Sequence, residues 1–69
     1  MTGSAVWATV ATAATLAHRN PRTIFRWIDA GFVRKMTARG IILVRIADVT
    51  ATERAVFDGE KPVKHEGIP

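Results

Sequence analysis

Two helix signals bracket ten residues in the middle of this chain, Asn20-Pro21 at their start and Gly31 after them. An asparagine side chain caps the free amides of a first turn, and the fixed φ of proline suits the first helical position. Glycine readily takes the left-handed conformation that closes a helix. PRTIFRWIDA is therefore expected to form a short helix from Pro21 to about Ala30. At 100° per residue, Ile24, Trp27 and Ile28 make one apolar stripe, with Trp27 in the core. Arg22, Arg26 and Asp29 fall opposite, with Thr23 and Phe25 on the flanks. Two arginines one turn apart disfavour an isolated helix by roughly 0.2–0.5 kcal/mol, so their placement suits a partner outside the chain.

Such a helix needs neighbours to persist in water. Upstream, AVWATV is β-prone enough for a short strand, and Trp7 is expected to pack near the helix that follows. Thr9 can cap that helix, Val10 to Ala17, in which Val10, Ala13, Ala14 and Ala17 share a face opposite Thr12 and Thr15. The small residues of this face allow close approach of a second helix. His18, Arg19 and Asn20 form the turn, giving a helix-turn-helix.

After Gly31 the pattern alternates. FVRKM and IILVRI flank the four-residue loop TARG and read as a hairpin, with Arg34, Lys35 and Arg45 on its arms and Arg39 at its tip. ADVTATERAVF then has two helix starts, Asp48 as a cap or Thr50 with Glu53 as a capping box. Val49 and Val56 are expected in the core, with Phe57 closing it near Gly59. Residues 1–4 read as a flexible N-terminus, 5–57 as the domain, and 58–69, with mixed charge and little to bury, as a disordered C-terminal tail.

A chain of 69 residues buries only about 60% of its unfolded surface and has no room for two lobes around a cleft. With no cysteine and two separated histidines, neither a disulfide framework nor a metal cluster is expected. No Ser/His/Asp or Cys/His set, glycine-rich phosphate loop or rigid carboxylate pair is present, so an enzyme is not expected, and no cofactor or small-molecule ligand either. The apolar runs are too short for a membrane span, and MTGSAVWATV lacks the basic start of a secretory signal, so a cytoplasmic protein is expected. The net charge of +4 is unevenly spread. Between His18 and Ala47 seven basic residues face Asp29 alone, a balance of +6, while Asp48 to the end carries −2. So one-sided a basic block, in so small a protein, points to a polyanion, most simply nucleic acid.

In order, the elements are a short strand, a small-residue helix, N-P-R-T-I-F-R-W-I, A-G-F-V, a basic hairpin ending in V-R-I, and A-D-V opening a last helix. This order resembles the winged helix-turn-helix of the MerR superfamily. The single-domain members are most similar, namely phage excisionases (recombination directionality factors) and small excisionase-like regulators. The resemblance covers roughly residues 5 to 57 and is most specific in T-I-x-R-W-I-x-x-G, Thr23 to Gly31. The short TARG loop departs from the pattern, as does Phe25, which stands where a polar residue is more usual; the long dimerisation helix and effector domain of full MerR regulators are absent.

The resemblance implies a mainly α fold of three short helices plus a β-hairpin wing, binding and bending double-stranded DNA near an attachment site. Arg22, Thr23 and Arg26 are then the recognition-helix candidates for the major groove, and Arg34, Lys35 and Arg39 the wing candidates. The same residues are the polar positions left over once the apolar stripe is buried. Arg19 and Asn20 are candidates for phosphate contacts at a helix N-terminus, Asn20 also being the cap. Implied partners are the DNA, an integrase turned toward excision, and neighbouring copies that bind cooperatively. A small transcription regulator of the same fold is the alternative. A further one is a protein-interaction factor that uses Phe25 and IILV without binding DNA.

Overall fold

A computed structural model describes residues 6–65. In chain order its elements are β1 (Trp7–Thr9), α1 (Val10–Ala17), α2 (Pro21–Ala30), β2 (Lys35–Ala38), β3 (Ile41–Arg45) and α3 (Ile46–Phe57). Three helices thus pack with a three-stranded antiparallel sheet of order β1-β3-β2, a small α+β arrangement. The residues expected as a loose N-terminus, 1–4, lie outside the described residues, as do 66–69.

The first two helices form where their local signals place them. Thr9 caps α1, its side chain accepting from the Thr12 amide at 3.2 Å. Asn20 caps α2 through Oδ1, which accepts from the Arg22 amide at 2.8 Å. Gly31, at φ 88°, closes α2 in a double hydrogen-bonded end: its amide donates to Ile28 and that of Phe32 to Trp27. The end of α1 has the same form with a non-glycine residue, His18, in the left-handed region at φ 56°. The faces pack as the spacing requires. Val10, Ala13 and Ala14 of α1 and Ile24 and Trp27 of α2 join Val33, Val44 and Val49 in one core, with Ala17 and Ile28 against it.

The sheet differs from a lone hairpin. β1 pairs with β3 from Trp7 opposite Arg45 to Thr9 opposite Leu43, so β3 is central and the segment before α1 becomes an edge strand. Trp7 is half-buried on this strand and lies outside the core cluster. The hairpin turn is tighter than the four residues TARG. Thr37 and Ala38 extend β2, and only Arg39 and Gly40 make the bend, at φ 54° and 77°. Two successive positive φ values are the turn whose twist matches that of the flanking strands. Because directly opposed residues share a face, Ile42 and Val44 point to the core while Trp7, Met36, Ile41 and Leu43 share the outer face.

The third helix starts at neither expected cap. It begins at Ile46, two residues before Asp48, and its leading amide is satisfied by the Val6 carbonyl at 2.9 Å. The residue just before β1 thus supplies what a local side chain was expected to supply. Asp48, Val49 and Thr52, its buried residues, all lie in the first two turns. The last turn runs past the core, which leaves Val56 exposed and Phe57 82% exposed, against the expectation that they close it. The segment after Phe57 is not wholly free of the domain: the His65 amide donates to the Gly31 carbonyl at 2.8 Å.

Candidate nucleic-acid interface

The outward side of α2 carries the two arginines that the helical spacing sets opposite the core. Arg22 and Arg26 are both exposed, and among the described residues neither guanidinium makes a hydrogen bond or ion pair, not even with Asp29 three residues beyond Arg26. Thr23 is half-buried on the flank. The helix start itself is internally occupied. Pro21 has no amide to offer, the Arg22 amide goes to the Asn20 side chain, and the Thr23 amide goes to the Asn20 carbonyl at 2.8 Å. Asn20 is thus engaged as the cap. What α2 presents to a ligand is its side chains.

Arg19 is tied back to the protein. Its Nη2 lies 3.2 Å from Glu53 Oε2 on α3, and its guanidinium sits 6.0 Å from the centre of the Trp27 ring, at the outer reach of a cation–π contact. The pair is about one third exposed on both sides, so it holds loosely.

On the hairpin, Lys35 is exposed on the edge strand β2, and Arg39 is exposed at the bend. Arg34, expected beside them, is placed otherwise. Its backbone amide and Nε both donate to Asp48 Oδ2, at 3.0 and 2.9 Å, and its Nη2 donates to Oδ1 at 3.1 Å. Its carbonyl accepts from the Arg45 amide at 3.1 Å. Arg34 is therefore a structural joint between the approach to β2 and the first turn of α3, with its charge matched by an internal carboxylate.

That carboxylate was expected only as a helix cap. Asp48 is 5% exposed and also has His65 Nε2 at 3.4 Å from its Oδ1. Burial pushes its carboxyl up, but the hydrogen bonds from the Arg34 side chain and backbone, with the charges of His65 and Arg34, outweigh burial and hold it below the usual carboxylate range. Reciprocally, the hydrogen bond to Asp48 raises Arg34 against the opposing effect of desolvation. The one available sequence signal was that Asp48 is the sole acid between Asp29 and Glu53 in a basic stretch.

The candidate cations left without a partner among the described residues are thus Arg22, Arg26, Lys35 and Arg39, spread over one helix and one hairpin. Arg45, at the end of β3, has a buried Nε with no hydrogen-bond partner. Among the described residues no group of three His, Asp or Glu side chains is placed to hold a metal, and no helix is long and apolar enough to cross a membrane. No protein-family model matches the chain, and no significant match to a curated protein or a solved structure is found.

Proposed function

We propose that this chain is a sequence-specific double-stranded DNA-binding protein of winged helix-turn-helix type, with α1 and α2 as the helix pair and β2–β3 as the wing. The observation that carries the reading is the pair Arg22 and Arg26. Both lie on the exposed side of a capped, core-anchored helix, and neither has a counter-ion among the described residues. Arginine binds guanine edges and phosphates bidentately, and a rigid helix positions such contacts better than a loop. Lys35 and Arg39 extend the same positive character onto the hairpin.

In this reading the protein is a phage or prophage excisionase that binds and bends DNA near an attachment site and turns an integrase toward excision. No bond is made or broken by this chain. Its short helix and small wing give a modest interface, which neighbouring copies or the integrase would supplement. A small transcription regulator would use the same surface and differ only in the genomic position of its target.

The test is a gel shift with DNA from around the gene at two salt concentrations, with Arg22→Ala and Arg26→Ala alongside. Salt-sensitive shifted bands lost in both variants support the reading. An excision assay with the neighbouring integrase then separates the two DNA-binding roles. The outer sheet face gives the protein-interaction reading a specific footing, since Trp7, Met36, Ile41 and Leu43 line it together. Absence of DNA binding by the wild type would move that reading to first place.

A further inference from the structure

Phe25 stands out on α2 because the core does not use it. Ile24 and Trp27, on either side, are 0% and 6% exposed, and they anchor the helix without help from Phe25, which is left 45% exposed. At helical spacing it lies one turn after Arg22 and one turn before Asp29, on the strip that also leads to Arg26. An aromatic ring thus projects from the same face as two guanidinium groups that have no partner among the described residues.

Resting on the DNA-binding reading above, we propose that Phe25 is a specificity-determining residue that packs on the 5-methyl group of a pyrimidine, ordinarily thymine, next to a guanine contacted by Arg22 or Arg26. In the major groove, thymine presents a methyl group and guanine presents the O6 and N7 acceptors, so neighbouring base pairs offer one apolar and one charge-seeking contact side by side. Side chains three apart on a helix stand about 5–6 Å from each other, close enough to address adjacent base steps. The long arginine reaches the base edge, while the shorter ring meets the methyl group that projects from it.

A protein partner fits this face less well. Covering Phe25 would desolvate Arg22 and Arg26, which have no counter-ion among the described residues, and an unpaired charge is costly to bury. DNA covers the ring and supplies the counter-charge together. The target then has a defined chemical character: a guanine beside a 5-methylpyrimidine.

The experiment places the change first in the DNA, where it cannot disturb the fold. Duplexes that the full chain binds are selected from a randomised pool, and each thymine is replaced in turn by deoxyuridine, which lacks only the methyl group. One or two thymines next to a guanine are expected to lose affinity by about fourfold, the factor that burying one methyl supplies. Phe25→Ala is expected to bind the thymine duplex that much more weakly and to be indifferent to the replacement. Phe25→Leu is expected to keep part of the discrimination, and 5-methylcytosine in place of cytosine at such a position to strengthen wild-type binding. If the wild type selects no duplex, the DNA-binding reading itself fails. If it binds but every deoxyuridine duplex binds equally, or Phe25→Ala remains as sensitive as the wild type, the assignment of Phe25 is wrong while DNA binding stands. A Phe25→Ala variant that loses self-association and keeps its sensitivity to deoxyuridine would assign the ring to a protein contact instead.

Discussion

Asp48 accepts three hydrogen bonds from the single residue Arg34, at 2.9 to 3.1 Å, and so ties the first turn of α3 to the residue just before β2. The thirteen intervening residues hold the whole hairpin, so this joint fixes the base of the proposed wing to the rest of the domain.

Removing the carboxylate is expected to destabilise the protein. Asp48→Ala leaves the partly buried Arg34 backbone amide without its acceptor, a loss on the order of 2 kcal/mol. For a domain of this size that lowers Tm by roughly 8–16 °C. Thermal unfolding followed by circular dichroism reads it directly; a change of only a degree or two would mean that the amide finds another partner.

The same joint gives stability a pH dependence. The folded-state value of Asp48 lies below its usual 3.8, so the unfolded chain takes up this proton first as pH falls. Its contribution is therefore complete above about pH 4 and is lost as pH drops through the depressed folded value. Denaturant titrations of wild type and Asp48→Asn should show a stability gap at pH 6 that narrows steadily below pH 4. A gap that is constant down to pH 2 would show that the charge plays no part.

Arg22→Ala and Arg26→Ala are expected to act on binding and not on folding. Each should lower the slope of log affinity against log salt by about 1 if its guanidinium meets a phosphate. A base contact would instead relax sequence preference with the slope kept. Stability should hold or rise slightly, because either change relieves a like-charge pair one turn apart. A Tm drop of several degrees in either variant would mean that the side chain has a structural role that the fold does not display.

At the hairpin bend, binding and stability are expected to part company. Arg39 holds φ 54° beside Gly40 at 77°, a geometry that Asn-Gly adopts with less strain. Arg39→Asn should raise stability by roughly 0.5 kcal/mol while weakening DNA binding. Equal or tighter binding by that variant would remove Arg39 from the interface.

His18 bears the left-handed conformation that ends α1, at φ 56°. His18→Gly should stabilise the fold by roughly 0.5–1 kcal/mol, since glycine takes that conformation without a Cβ penalty. Lower stability would point to an imidazole contact that matters.

What the sequence made legible was set by how local each signal is. Thr9, Asn20 and Gly31 act on amides and carbonyls within a few residues, so α1 and α2 begin and end where those residues place them. The start of α3 was not legible, because the group that satisfies its first amide is the carbonyl of Val6, forty residues earlier. The tight bend was hidden by Thr37 and Ala38, which pass equally for loop or strand until β3 sits opposite them. Within the candidate site, the exposure of Arg22 and Arg26 followed from helical spacing. Nothing in the residue types, however, separates Arg34 and Arg19, which are matched by Asp48 and Glu53, from Lys35 and Arg39, which have no match among the described residues. That distinction exists only once tertiary register brings distant carboxylates within reach.

The central place of β3 governs the order in which the chain can fold. The partner of β1 lies more than thirty residues downstream, so a growing chain carries Trp7–Thr9 with their ladder groups unpaired until Ile41–Arg45 has been made. The contacts between α1 and α2 are local and close early, whereas completing the sheet is a late, long-range step. β1 is thus secured after the helices that follow it in the chain, and anything fused ahead of Val6 weighs on that step and on the Val6 carbonyl that opens α3.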